Sequence, residues 1–70
     1  MKSFEKISLS RKLTNTTTNE TVFIYKFKKV GTERVFFAPE INGKRINNTM
    51  YARLYDATTL GKNFLKRNQN

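Results

Sequence analysis

Hydrophobic and polar positions alternate along most of this 70-residue chain and change rhythm once, at about residue 47. Residues 6–13 place Ile7, Leu9 and Leu13 on one parity and Lys6, Ser8, Ser10 and Lys12 on the other, the period of a half-buried strand. Residues 14–19, Thr-Asn-Thr-Thr-Thr-Asn, hold no apolar side chain and read as a mobile loop. Residues 20–30 form the clearest strand, dense in β-branched and aromatic types. Gly31-Thr32 offers a two-residue turn into a strand at 33–39, which pairs Phe27 with Phe36, Tyr25 with Ala38, Lys28 with Val35 and Lys26 with Phe37. Asn42-Gly43 is the strongest turn signal, a type I′ dipeptide that sets Ile41 against Lys44 and Glu40 against Arg45. Residues 44–46 are therefore a candidate short fourth strand. Pro39 cannot donate a ladder hydrogen bond and belongs at an edge or where pairing breaks.

From Asn47 the period becomes helical. Met50, Leu54, Ala57, Gly61 and Phe64 or Leu65 fall on one face of a helix over 49–66, with Asn48 or Thr49 as its N-cap. Gly61 either ends that helix or marks a close approach to the sheet, and the tail Asn68-Gln69-Asn70 should fray. The predicted fold is a small α+β domain spanning the 70 residues: three antiparallel strands, with a candidate fourth, and one C-terminal helix on one face. Ring size suggests which face. Phe23, Tyr25, Phe27, Phe36 and Ala38 should lie under the helix, leaving Val22, Ile24, Lys26, Lys28, Val35 and Phe37 open.

Composition then narrows the chemistry. Fourteen Lys and Arg against five acids give a formal charge of +9, which favours a polyanionic partner. No segment reaches the five or six like charges of a basic tail, so the charge belongs to a folded surface. Histidine and cysteine are absent, which removes the commonest metal ligands, the near-neutral acid–base group and the most reactive nucleophile. The five acids are scattered and the three glycines stand alone, so neither a carboxylate pair nor a phosphate loop is present. No cofactor and no enzymatic activity are expected. No apolar run has the length of a signal peptide or a membrane span, so a cytoplasmic, membrane-free protein is expected. A core this small makes a dimer a candidate assembly. Abundant Asn, Lys, Phe, Ile and Tyr is what AT-rich codons supply, which suits a phage or mobile element of a low-GC bacterium.

Lysines interleaved with an aromatic on an open sheet face suit nucleic acid: rings stack on bases while ammonium groups neutralise phosphates. Lys26, Lys28 and Phe37 are the candidates on the face expected to be open, with Arg34 nearby. The basic pairs Arg11-Lys12 and Lys44-Arg45 flank turns and are candidate backbone clamps. Lys62, Lys66 and Arg67 complement the helix dipole. Tyr51 and Tyr55 stand one helical turn apart, a spacing that resembles the paired tyrosines of rolling-circle replication initiators. Those enzymes also need a histidine-rich metal site, which a chain without histidine lacks. The layout of strands and helix is similar to that of small integrase arm-binding domains, and that resemblance implies a sheet docked in the DNA major groove. The expected function is a non-catalytic nucleic-acid-binding module, with DNA ahead of RNA. The alternative is a small interaction factor that docks its basic face on an acidic host protein and inhibits or redirects it.

Overall fold

The computed structural model describes residues 3–67. Four strands, β1 (Phe4–Asn15), β2 (Glu20–Lys29), β3 (Val35–Ile41) and β4 (Lys44–Arg45), form one antiparallel sheet in chain order, and one helix, α1 (Leu54–Lys66), packs on it. The fold is α+β, and the candidate fourth strand is present. The tail expected to fray lies outside the described residues.

The β2–β3 register is the one read from the sequence, with Phe27 opposite Phe36, Tyr25 opposite Ala38, Lys26 opposite Phe37 and Lys28 opposite Val35. The connection differs. Lys29 N–H donates to the Arg34 carbonyl (3.0 Å), so residues 30–33 form a four-residue loop in place of the two-residue turn, and β3 begins at Val35. Extending the loop by one residue on each side preserves the pairing. Asn42 (φ 54°) and Gly43 (φ 81°) are both left-handed, as a type I′ turn requires. β4 stops at Arg45 because the next partner is Pro39: Ile46 N–H donates to the Pro39 carbonyl (3.0 Å), and proline has no N–H to return.

β1 departs from simple alternation. Bulges between Lys6 and Ser8 and between Leu9 and Arg11 each insert a residue and flip the parity beyond it. Leu9 therefore faces Tyr25 while Leu13 faces Val22, on opposite sides of the sheet. The Thr/Asn stretch is a tight turn at residues 16–19, shorter than the loop expected, because both strands extend to the Asn15–Glu20 pair. Asn15 shapes it: its Oδ1 accepts from the N–H groups of Thr17 (2.9 Å) and Thr18 (3.3 Å), and its Nδ2 donates to the Leu65 carbonyl (2.8 Å).

The helix starts five residues later than the periodicity indicated. Tyr51 is held extended by an antiparallel bridge to Phe37, with N–H···O bonds of 2.6 and 2.8 Å. Asn47 Oδ1 accepts from Thr49 N–H (3.0 Å) in a local turn, so neither Asn48 nor Thr49 caps the helix. Arg53 occupies the N-cap position without a side-chain capping bond. Gly61 neither ends nor interrupts the helix. It faces the sheet, where a Cβ would lie 2.9 Å from Leu13 Cδ1 and 3.2 Å from Val22 Cγ1.

That close approach settles which face the helix covers, and it is the reverse of the one expected. Val22, Ile24, Ala57 and Leu65 form the buried centre, with Leu13, Phe37, Ile41, Ile46, Leu54 and Phe64 packed around it. Ala57 and Gly61 let the helix backbone come down onto compact aliphatic side chains. A face of phenylalanine rings would hold it away.

Candidate nucleic-acid interface

Opposed residues in an antiparallel pair share a sheet face, so the register defines the side left bare by the helix. On β2 that side carries Phe23, Tyr25 and Phe27. β3 contributes Phe36, Ala38 and Glu40 opposite them, and β1 contributes Lys12, Leu9 and Lys6. Phe4 joins from the start of β1, its ring edge-on to Phe36 at 5.4 Å, and Arg45 lies opposite Glu40. No secondary-structure element covers this face among the described residues. Phe23, Tyr25, Phe36 and Phe4 are half-buried, whereas Phe27 and Ala38 form a buried floor.

One ion pair organises the surface. Lys6 extends across β2, its Nζ 4.2 Å from the Tyr25 ring centroid, and reaches Glu40 on β3 at 3.0 Å from both carboxylate oxygens. Glu40 is only 5% exposed, so the ammonium supplies the counter-charge and donors that a buried carboxylate needs. Two hollows flank the pair. The larger, about 910 Å³, lies between Phe4, Lys6, Phe27, Arg45 and Met50; the smaller, about 360 Å³, lies between Phe23, Tyr25, Asn19 and the Asn42-Gly43 turn. Glu40 is a wall of both.

The residues singled out in the sequence divide between the two sides. Lys12 and Arg45 are exposed on the aromatic face, opposite Phe23 and Glu40, and the Arg34 guanidinium lies 5.9 Å from the Phe36 ring centroid at its rim. Lys26 and Arg11 pair with Phe37 and Ile24, and Lys44 pairs with Ile41, all on the helix side. Lys28, also of that parity, is 3.4 Å from Glu33. Phe37 packs into the core and is not an open contact. Its expected surface role falls with the inverted face.

Sequence reasoning missed Phe4, Lys6 and Glu40 as residues of this face and placed Phe23, Tyr25, Phe27 and Phe36 under the helix. A signal was present: on β2 the parity of Val22 and Ile24 carries no aromatic, and compact aliphatic groups match a helix that carries Gly61. Of the helix-end cations, Arg67 is structural: it pairs with Glu20 (3.0 Å), stacks 3.7 Å from the Phe64 ring centroid and donates to the Phe64 carbonyl. Tyr51 accepts from Asn47 and packs on the core, whereas Tyr55 is exposed.

Among the described residues, no group of three or more His, Cys, Asp or Glu is placed to hold a metal ion, and no helix is long and apolar enough to cross a membrane. No protein-family model, curated protein or solved structure matches this chain at a significant level.

Proposed function

We propose that this chain is a non-catalytic nucleic-acid-binding module that works through the aromatic face of its sheet. The observation that carries the reading is a run of half-buried rings, Phe4, Phe23, Tyr25 and Phe36, set over a buried floor of Phe27 and bordered by exposed Lys12, Lys29, Arg34 and Arg45. Rings spaced along a sheet stack unpaired bases in sequence, and cations around them neutralise the phosphates between. The net charge of +9 draws a polyanion to the surface from a distance. Single strands, whose bases are free to stack, suit this face better than a duplex.

Fluorescence anisotropy with labelled single-stranded oligonucleotides tests it. Four phosphate contacts give a log–log salt slope of about −3, a loss of about 50-fold in affinity between 50 and 200 mM salt. Phe23→Ala should weaken binding by about 1–3 kcal/mol, the value of one stacked base. Affinity that stays flat across that salt range refutes the proposal. A second reading, docking on an acidic protein, draws support from Ile7 and Leu9, each 49% exposed on the outer strand. Recovery of one stoichiometric protein after nuclease treatment, without oligonucleotide binding, would favour it.

A further inference from the structure

The aromatic face leaves a second basic region of the molecule unused. On the helix side, a hollow of about 470 Å³ lies between the end of β1 and the last turns of α1, its walls including Leu13, Thr16, Thr17, Lys62, Leu65 and Lys66. Lys62 and Lys66 stand one helical turn apart, both exposed, and neither has an acidic partner among the described residues. Arg11, exposed and equally unpaired, is on the same side of β1 as Leu13, about 7 Å along the strand. The negative groups described at this end are already engaged. Arg67 holds Glu20 at 3.0 Å and donates to the Phe64 carbonyl at 2.7 Å, and Asn15 Nδ2 donates to the Leu65 carbonyl at 2.8 Å. The negative end of the helix dipole is thereby blunted, and the three free cations set the local potential.

We propose that this groove is a second backbone track: a single strand stacked on the aromatic face turns over the outer edge of β1 and sets its next phosphates against Arg11, Lys62 and Lys66. The inference deepens the nucleic-acid reading above and rests on it. β1 is the outer strand of the sheet, so no neighbouring strand blocks the turn. Successive residues of a strand point to opposite faces. Lys12 pairs with Phe23 on the aromatic face, while Arg11 pairs with Ile24 on the helix side. Adjacent positions thus present a cation on each side of one edge, a continuous path for a phosphate backbone. The lining of the groove holds no aromatic ring on which a base could stack. Lysines and threonine hydroxyls beside two leucines take phosphate and sugar, so this track adds affinity without reading sequence.

Oligothymidines of about 6 and about 15 nucleotides test it, near the two ends of the range that single-strand modules occupy. The shorter strand covers the aromatic face alone and should keep the salt slope of about −3 that four phosphate contacts give. Three further contacts should steepen the slope of the longer strand to about −5, a loss of about 1,000-fold in affinity between 50 and 200 mM salt. In the double variant Lys62→Gln/Lys66→Gln, with its fold checked by circular dichroism, the longer strand should return to a slope of about −3.5. The shorter strand should bind that variant as it binds the parent. A variant that binds both lengths like the parent, or weakens both alike, overturns the track and leaves the nucleic-acid reading intact. A longer strand with the same slope as the shorter one does so too. Failure of the unaltered protein to bind either strand at low salt overturns both.

Discussion

Gly61→Ala tests the contact that decides which sheet face is left bare. At an exposed helix position this change stabilises by roughly 1 kcal/mol, because alanine loses less backbone freedom. Here the new methyl would sit 2.9 Å from Leu13 Cδ1 and 3.2 Å from Val22 Cγ1. Leu13 is half-buried at the sheet margin and can rotate its end away. Val22 is fully buried and stiff at χ1, so the helix must lift from the sheet instead. Overpacking of this kind costs about 1–3 kcal/mol, which outweighs the propensity gain and leaves a net loss of about 1 kcal/mol. For a domain of this size that is a fall of about 4–8 °C in melting temperature. Urea titration followed by far-ultraviolet circular dichroism measures it. Leu13→Val, which removes the nearest methyl, should make the same glycine substitution less costly, and the double-mutant cycle reads that coupling directly. A Gly61→Ala protein more stable than the parent by the full propensity term would refute the close approach, and with it the reason given for the exposed aromatic face.

Two further substitutions separate scaffold from surface. Phe37→Ala should destabilise by about 2–4 kcal/mol through the cavity it leaves beneath α1, yet the fraction still folded should bind oligonucleotide with undiminished affinity. Phe23→Ala should do the opposite, and equal effects of the two on binding would contradict the assignment of faces. Asn15→Asp keeps the acceptor for Thr17 and Thr18 but removes the donor to the Leu65 carbonyl and sets a negative charge at the helix C-terminus. A loss of about 1–2 kcal/mol is expected, with hydrogen exchange quickened in the last turn of α1; unchanged exchange there would show that the amide does not anchor the helix.

Local rules read from the chain held at Asn42-Gly43 and Pro39, where one residue type dictates the backbone, though not at Gly31-Thr32, where the loop is two residues longer. Asn42-Gly43 demanded two left-handed residues, Pro39 forbade a returning hydrogen bond, and the β2–β3 register followed. The sequence pattern was weaker where two elements had to choose each other. Val22 and Phe23 alternate equally well, and only the depth available above Gly61 tells which of them the helix covers. The bulges in β1 were invisible because Ile7 and Ser10 look like any other step of the alternation until a partner strand fixes the pairing. The delayed helix start has the same origin: the Met50–Leu54 spacing fits a helix, but Tyr51 gains more by bridging to Phe37. The candidate site inherited the error in the face. Lys12, Arg34 and Arg45 lie with the half-buried rings of the uncovered face, whereas Phe37 and Lys26 belong to the other side.

The uncapped start of α1 also constrains the route by which the chain folds. A helix of 13 residues with a glycine inside it and no side-chain cap is marginal on its own in water. It gains its stability only by docking, and the surface it docks on draws Leu13 from β1, Val22 and Ile24 from β2 and Ile41 from β3. Three strands must therefore be in register before the helix has anywhere to bind. Hairpins with short loops close first, and α1 condenses last, so φ-values near zero are expected for substitutions at Ala57 and Leu65. Until that step the sheet is bare on both sides. The kinked, lysine-bearing outer strand β1 then does its main service before the native state exists, by denying a second chain a straight edge on which to pair.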